Sequence, residues 1–409
     1  MKKNLRNLFL ITLTLLITTV TCCRSNTARA ESEVELYDMV WKLVNTKYLD
    51  RTNNGQNWYR WRHKYDEKIK TPEDAYMAID TMVASLNDKY TRFVNPKEFE
   101  EEKTIIKGSL YGIGVQIGIR DGKILVISPL EDTPGEKAGL MAEDEILAIN
   151  GVSTKDMTVD KAADNIRGPK GTMVELLIKR ANVPNKVYKI VRDEINIKTI
   201  STKTPENFTL NNNVGYVRLT SFMGRKVAMD FKDVIAGFKN KDGIILDLRG
   251  NTGGLLSNAI IIADMFLDNE IIVSTVDRDG YKDTAKSAKR CFTTQPMVVI
   301  INKGSASASE ILSGALKDNH RAILIGENTF GKGLVQEVKS LAPFGAGMNI
   351  TVQKYLTPNG TDINKKGIAP DIEVKITEED IKAKNDVQLK KAQEVLLQMI
   401  KNEKSIALN

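Results

Sequence analysis

The sequence predicts a multidomain α/β protein, with a small β-rich domain, a core of alternating strands and helices, and helical segments at both ends. The 409 residues are 42% hydrophobic, so the chain can bury cores for two or three compact units. The hydrophobic period changes from helical to alternating near residue 111, and strands alternate with helices after residue 214. The expected regions are a leader at 1–30, a helical segment at 31–105, the β-rich domain at 106–195, the α/β core at 196–375 and a helical tail at 376–409.

Residues 1–30 have the pattern of a secretory signal. Basic residues in the first six positions precede an uncharged apolar run at positions 8–20, and a small-x-small site ends at Ala30. An apolar run of this length is short for a permanent membrane span. We therefore expect export to the periplasm or the outer face of the inner membrane, with cleavage after Ala30. An uncleaved anchor and lipid attachment at Cys22 or Cys23 remain open as alternatives.

Removal of this leader changes the charge balance and the cysteine content. The whole chain has 59 basic and 52 acidic residues and a net charge of +7, but residues 1–30 contain five basic residues and no acid. The remaining net charge of +2 gives no reason to expect nucleic acid or an anionic membrane surface as a partner. Only Cys291 is left, so no intramolecular disulfide is predicted.

The segment 31–105 is predicted to be helical and to lack catalytic chemistry. Apolar residues at positions 36, 39, 40, 43 and 44 form the stripe of an amphipathic helix over 34–49. Thr71 and Pro72 are typical of an N-cap and a first helical turn. No cluster of ionisable side chains here is typical of catalysis, and we interpret His63 as a solvated surface residue.

The β-rich domain begins with a hairpin. Val115, Ile117 and Ile119 alternate with other residues, Asp121-Gly122 is typical of a tight turn, and residues 124–127 form the returning strand. The elements expected next are a helix at 134–140 with Gly139 as its C-cap, a strand at 146–149 with an Asn150-Gly151 turn, a helix at 158–166 and a strand at 173–178.

The core alternates apolar strands with helical patterns, which predicts an α/β layer with much parallel pairing. Strands are expected at 215–219, 243–248, 297–301 and 322–325, and helices up to Phe238, at 255–267 and at 308–316. The tail reads as a charged helix over 378–404. Its apolar residues are available for docking or for subunit contacts: Leu389, Val395, Leu396 and Met399.

The strongest candidate for chemistry is Ser307, in a segment where an apolar strand ends and a helix begins. A serine at such an elbow is exposed at the carboxyl end of a strand, and the amide of Ala308 lies at the positive end of a helix dipole. An acyl-enzyme mechanism needs both features. A serine-rich turn that merely caps the helix is the simpler alternative.

A nucleophilic serine needs a base, and the chain has only two histidines, His63 and His320. His320 lies in a polar connection, but a Ser/His/Asp triad that uses it stays open. A zinc hydrolase is not expected, because there is no His-Glu-x-x-His motif and no cysteine pair. Lys332 is the other candidate, since burial between glycines and apolar residues favours its neutral amine and Gln336 can orient that amine by hydrogen bonding.

Three segments resemble the carboxyl-terminal processing (tail-specific) proteases, in order and in spacing. They are Leu246-Asp247-Leu248-Arg249-Gly250-Asn251-Thr252-Gly253-Gly254, Gly304-Ser305-Ala306-Ser307-Ala308-Ser309-Glu310 and Thr329-Phe330-Gly331-Lys332-Gly333-Leu334-Val335-Gln336. The resemblance implies that Ser307 is the nucleophile, Lys332 the base and Gln336 its support. It also implies an oxyanion hole formed by the amides of Gly253 and Ala308. Thr252 departs from the family pattern, in which proline is frequent, but this change removes no donor.

An upstream segment resembles a PDZ domain: Tyr111-Gly112-Ile113-Gly114-Val115, then Ala138-Gly139-Leu140 and Asp144-Glu145-Ile146. The resemblance implies that the loop of Gly112, Ile113, Gly114 and Val115 holds a free C-terminal carboxylate and pairs the peptide as an added strand. Glu143 replaces a common glycine before Asp144. For Arg167 the resemblance implies a regulatory role, in which tail capture is linked to assembly of the active site.

Taken together, the resemblance implies a ClpP/crotonase-like α/β protease core with an inserted PDZ domain. The expected activity is that of a serine endopeptidase that cleaves exported proteins with free, apolar C-terminal tails, with no cofactor and with a homodimer, a higher oligomer or an adaptor as further partners. A non-catalytic periplasmic adaptor is the main alternative. A penicillin-interacting serine enzyme would need Ser-x-x-Lys, which the chain lacks. A crotonase-like hydratase is not expected to have a secretory signal.

Overall fold

The computed structural model describes residues 33–107, 109–120, 122–130, 132–196, 199–205 and 207–407. The expected leader and the turn residue Asp121 lie outside these ranges. The chain divides into two compact units, a larger one of residues up to 102, 200–222 and 228–409 and a smaller one of residues 103–199 and 223–227. Within the described ranges, no helix has both the length and the apolarity needed to cross a bilayer.

The N-terminal segment contains the predicted helices and one unpredicted strand. Its elements are α1 (33–47), a 3-10 turn (Trp58–Trp61), α2 (Pro72–Ala84), β1 (Arg92–Val94) and α3 (Pro96–Lys107). Thr71 caps α2, and Asp74 completes a capping box by accepting a hydrogen bond from the Thr71 amide. The apolar faces of α1 and α2 pack into one buried cluster that includes Val40 and Ile79.

The smaller unit is an antiparallel sheet with two short helices, as predicted. Its elements are β2 (Ser109–Gly112), β3 (Val115–Arg120), β4 (Lys123–Pro129), α4 (Pro134–Lys137), β5 (Glu145–Ile149), β6 (Val152–Ser153), α5 (Val159–Ile166), β7 (Met173–Lys179), β8 (Lys186–Val191) and β9 (Asp193–Asn196). The order β3-β4-β5-β7-β8 places β3 at a sheet edge, while β2 pairs with β9. Asn150 and Gly151 both have positive φ in the predicted turn.

The remaining elements form the core and the tail. They are β10 (Ile200–Ser201), β11 (Val214–Leu219), α6 (Val227–Gly237), β12 (Gly243–Asp247), α7 (Leu256–Asp264), β13 (Ile271–Asp277), β14 (Lys282–Lys286), β15 (Met297–Ile301), α8 (Ala308–Asp318), β16 (Ile323–Gly326), β17 (Leu334–Leu341), β18 (Ala346–Leu356), β19 (Ile372–Glu373), α9 (Glu378–Lys382) and α10 (Val387–Ala407).

The predicted parallel layer is present, in the order β10-β11-β12-β15-β16-β19. All pairs from β11 to β19 are parallel, and every residue of β12 and β15 is buried, as expected for a sheet covered on both faces. The apolar side of α10 covers this layer with Leu389, Ala392 and Leu396, which are fully buried. Leu389 and Leu396 therefore dock on their own chain.

A second, antiparallel sheet was not predicted from the sequence. It has the order β1-β18-β13-β14, and β17 pairs with the long strand β18 as well. β1 brings the N-terminal segment into this sheet, where Arg92 lies opposite Asn349. The helical segment is therefore built into the protease unit and is not a separate appendage.

Candidate active site

The turn between β15 and α8 holds Ser307 in an unusual backbone conformation. Its φ of 56° and ψ of −114° lie outside the regions that L residues prefer, so the surrounding structure must hold it there. The neighbouring hydroxyls do so: Ser305 donates to the carbonyl of Leu248 at 2.8 Å and Ser309 donates to that of Asn251 at 2.7 Å. Ser305 and Ser309 are fully buried, whereas Ser307 is half-buried. Of the three serines, only the middle one can offer its hydroxyl to a substrate.

The glycine loop after β12 reaches this serine. Gly253 has a φ of 104°, and a Cβ atom there would lie 2.8 Å from the Cβ of Ser307 and 3.0 Å from the amide nitrogen of Ala308. Ala308 is the first residue of α8, where amides have no acceptor within the helix. The Gly253 amide donates to the side chain of Asn251 at 2.9 Å. The two predicted oxyanion donors are thus neighbours, and in this conformation an oxyanion would compete with Asn251 for one of them.

A buried ion pair braces the same loop. Arg249 donates to both carboxylate oxygens of Asp247, at 2.9 and 2.6 Å, and to both of Asp386, at 2.8 Å each. Asp386 immediately precedes α10, and the Arg249 side chain is 10% exposed. The tail helix and the glycine loop are therefore fixed to each other by charge-assisted hydrogen bonds.

Lys332 lies in the loop between β16 and β17. Its predecessor Gly331 has a φ of 86°, and a Cβ atom there would lie 2.9 Å from the amide nitrogens of Lys366 and Gly367, so this position requires glycine. Burial lowers the pKa of Lys332 below that of an ordinary lysine, and the charge of Lys89 acts in the same direction. Asp88 and Glu310 act against this shift without reversing it.

Glu310 joins the serine elbow to the lysine loop. Its carboxylate is fully buried and accepts four hydrogen bonds. The donors are the Thr329 hydroxyl at 2.6 Å and the Gly331 amide at 2.7 Å on Oε1, and the Ser307 amide at 2.8 Å and the Lys332 amide at 2.9 Å on Oε2. Because one oxygen accepts from both Ser307 and Lys332, their backbone nitrogens lie within about 6 Å of each other.

Gln336 lies on β17, directly after a shift in register between Val335 and Gln336. Its side-chain amide donates to the hydroxyl of Thr351 on the neighbouring strand β18 at 3.2 Å. That contact orients the Gln336 side chain, which lines a cavity together with Asp277 and Arg278. Among the described residues, no hydrogen bond joins Gln336 to the Lys332 amine.

The two histidines lie away from the elbow. His63 is exposed and pairs with Asp66 at 2.8 Å, which fits the predicted surface position. His320 is exposed beyond the C-terminal end of α8, whereas Ser307 is at its N-terminal end. Eleven helical residues separate the ends by about 16 Å, so the geometry does not support a triad with His320. Among the residues described here, no group of three or more His, Cys, Asp or Glu could hold a metal ion.

The smaller unit contains an apolar groove between β3 and α5. Its walls include Val115 and Ile117 on the strand and Val159, Ala163 and Ile166 on the helix. The predicted carboxylate loop, Gly112, Ile113, Gly114 and Val115, lines the same groove. Since β3 is at a sheet edge, an extended peptide can be added there.

Glycine is required in the carboxylate loop at Gly114. Its φ is 69°, and a Cβ atom would lie 2.3 Å from the Cβ of Thr133. Arg167 is exposed at the groove and pairs with Asp164 at 3.5 Å. Glu143 has a φ of 70°, which explains why glycine is common at this position.

Two residues of this site, Glu310 and Tyr90, were not predicted from the sequence. Glu310 had a signal, because a Glu three residues after an N-cap Ser is the pattern of a capping box. Tyr90, whose ring centroid lies 4.7 Å from the Lys332 amine, had none, since the two are far apart in the chain.

Comparisons with known proteins agree with this geometry. Residues 213–374 match peptidase family S41 and residues 101–179 match the PDZ domain. The carboxyl-terminal-processing protease of Synechocystis sp. (strain ATCC 27184 / PCC 6803 / Kazusa) is 40% identical over 89% of this chain and 87% of its own length. The carboxy-terminal processing protease CtpA of Bacillus subtilis (strain 168) is 39% identical over 76% of this chain and 67% of its own.

A solved structure is also similar. The photosystem II D1 C-terminal processing protease is 31% identical, with a TM-score of 0.57 over 84% of this chain and 93% of that one. Because these relatives are proteases, the non-catalytic adaptor alternative is not supported. The chain therefore belongs to the carboxyl-terminal processing proteases of peptidase family S41 and is a serine-type peptidase whose PDZ domain serves protein substrates with C-terminal tails.

Proposed function

We propose that this protease uses Ser307 as its nucleophile and Lys332 as its general base. The observation that carries the proposal is the shared Glu310 carboxylate oxygen, which holds the backbones of both residues. The half-buried position of Ser307, with Ser305 and Ser309 committed to backbone carbonyls, supports it as the reactive serine.

The proposed reaction begins with transfer of the Ser307 hydroxyl proton to the neutral Lys332 amine as the serine oxygen attacks the substrate carbonyl. The amides of Ala308 and Gly253 stabilise the oxyanion, with the Gly253 amide turning from Asn251 to the substrate. Lys332 then protonates the leaving amine, and water, activated by the same amine, hydrolyses the acyl-enzyme. In this proposal Gln336, whose side-chain amide donates to Thr351, supports the amine by accepting a hydrogen bond from it on its carbonyl oxygen.

The proposed substrates are exported proteins with accessible, apolar C-terminal tails. Apolar side chains line the groove on both the strand and the helix side, so burial of apolar tail residues is the favourable contribution that this groove offers. The same proposal includes export to the periplasm with cleavage after Ala30. It also includes a homodimeric or higher assembly, an adaptor partner and a regulatory role for Arg167.

Incubation of the purified protein with an unfolded protein that ends in apolar residues tests the dyad, with products mapped by mass spectrometry. Ser307→Ala and Lys332→Met should each reduce cleavage by roughly 10³-fold or more. Ser153→Ala and Lys303→Met are the matched controls, since both side chains are exposed and outside this hydrogen-bond network, and both variants should keep the wild-type rate. Retained cleavage by Lys332→Met would place the base elsewhere.

A further inference from the structure

The turn between α2 and β1 brings N-terminal residues to the proposed base. The sequence showed no catalytic chemistry in this segment, yet β1 pairs with β18 and carries the preceding residues, Asp88 to Thr91, into the protease unit. Asp88, Lys89 and Tyr90 line a cavity whose opposite wall includes Phe330 and Gly331, the residues just before Lys332. The cavity is thus bounded on one side by the helical segment.

The ring of Tyr90 lies over the Lys332 amine. The distance from Nζ to the ring centroid is 4.7 Å, and Tyr90 is itself half-buried. On the outer side, the amine of Lys89 lies 5.0 Å from the Tyr90 ring and 5.3 Å from the Phe330 ring. The aromatic ring therefore covers the Lys332 amine, and a second cation lies against the same ring.

The turn is fixed by its own carboxylate. Asp88 accepts hydrogen bonds from the Tyr90 amide at 3.0 Å and from the Thr91 hydroxyl at 2.8 Å. Thr91 in turn accepts from the Thr351 amide at 3.0 Å, and Thr351 is the residue that contacts Gln336. Tyr90 is therefore held relative to the strand that supports Gln336.

We propose that Tyr90 is a positioning residue for Lys332, whose ring holds the amine in place and shields it from water. This inference rests on the proposed role of Lys332 as the base. A base that must lose its proton near neutral pH benefits from a dry environment, because water stabilises the ammonium form. The ring supplies that environment from a segment outside the three catalytic motifs.

Other charged groups near the Lys332 amine also change its pKa. Asp88 from the turn and Glu310 from α8 favour the ammonium form, whereas Lys89 disfavours it. Asp50 and Lys365 line the same cavity. The face of the Tyr90 ring itself attracts an ammonium ion, but burial is the largest influence on the pKa of Lys332. Loss of the ring would admit water beside the amine and leave the carboxylates in place, so we expect the pKa of Lys332 to rise.

The test is the pH dependence of kcat/KM for Tyr90→Ala and Tyr90→Phe, with Tyr59→Ala as the control from the same segment. Tyr59 packs against Trp41 and makes no contact with Lys332. Tyr90→Ala should move the ascending limb upward by about one pH unit, and so reduce activity below the limb by about tenfold. Tyr90→Phe and Tyr59→Ala should keep the wild-type limb. An unmoved limb in Tyr90→Ala, or an equal shift in Tyr90→Phe, overturns the inference.

Competitive acetylation of Lys332 in the Ser307→Ala background gives a second readout that does not require activity. The apparent pKa of Lys332 from the labelling rate should rise when Tyr90→Ala is added.

Lys332→Met distinguishes failure of the proposed base from failure of the proposed role of Tyr90. If it still cleaves, the proposed base is wrong; if it is inactive while Tyr90→Ala behaves as wild type in both measurements, only the role of Tyr90 is wrong.

Discussion

The proposed catalytic centre and the proposed tail-binding groove are built in opposite ways. At the centre, the carboxylate of Glu310 accepts four hydrogen bonds, and the hydroxyls of Ser305 and Ser309 are committed to backbone carbonyls. The groove has apolar walls, an open sheet edge and an exposed arginine at its rim.

This difference follows from what each region must do. Proton transfer and oxyanion binding need atoms fixed to a fraction of an ångström, and a satisfied buried polar network provides that rigidity. A tail-binding site must accept varied sequences, and apolar contacts together with main-chain pairing tolerate variation. Changes at the centre should therefore abolish turnover, whereas changes in the groove should mainly weaken binding.

Removal of the central carboxylate should have the largest effect. Glu310→Ala leaves the amides of Ser307, Gly331 and Lys332 and the hydroxyl of Thr329 without their acceptor. We therefore expect at least a 100-fold loss of kcat and a decrease of about 3 kcal/mol in the free energy of unfolding. Denaturant unfolding and steady-state kinetics measure the two effects. Glu327→Ala, which removes a partly exposed carboxylate paired with Lys303, is the control and should change little. Near-normal kcat in Glu310→Ala would contradict the network argument.

The glycine loop should be the next most sensitive position. Gly253→Ala introduces a Cβ atom 2.8 Å from both the Ala306 carbonyl and the Ser307 Cβ, at a φ of 104°. We expect a loss of kcat of about 100-fold from displacement of an oxyanion donor. Gly250→Ala is the matched control, because φ is also positive there but no atom lies within 4 Å. Equal losses in the two variants would mean that backbone strain alone, not the approach to Ser307, explains the effect.

Substitutions in the groove should mainly weaken substrate binding. Ala163→Asp places a charge on the apolar helix wall, and we expect KM for substrates with apolar tails to rise about tenfold while kcat stays within twofold. Lys161→Ala, on an exposed position of the same helix, should leave both constants unchanged. A fall in kcat without a change in KM would show that the groove acts on the chemistry and not only on capture.

The smallest effect on activity is expected from a substitution of Arg167, at the rim of the groove. Arg167 is exposed and its ion pair with Asp164 is 3.5 Å long, so Arg167→Ala should cost little stability. If Arg167 has the proposed regulatory role, turnover of tailed substrates should fall a few-fold while cleavage of a short untailed peptide stays constant. Unchanged turnover of tailed substrates would remove Arg167 from the mechanism.

The sequence predicted the elements whose signals are local. The hairpin of β3 and β4, the cap at Thr71 and the buried parallel strands each have a pattern within about ten residues. The antiparallel sheet around β18 was not predicted, because more than 250 residues of chain separate β1 from β18 and no local pattern indicates that they pair. A similarly long separation concealed the contact between Tyr90 and Lys332. The hydrogen bond from the Gly253 amide to Asn251 depends on a loop conformation that no sequence pattern encodes.

Asp386 follows Arg249 by 137 residues, so we expect the ion pair between them to form late during synthesis. Until residues 386–400 have left the ribosome, the buried guanidinium has only Asp247 as a carboxylate partner, and the strands under α10 lack their apolar cover. An unpaired buried charge is costly, so we expect the glycine loop to reach its final shape only after α10 has packed against the sheet. We therefore expect a chain that has been synthesised only as far as residue 385 to contain Ser307 and Lys332 but to lack protease activity.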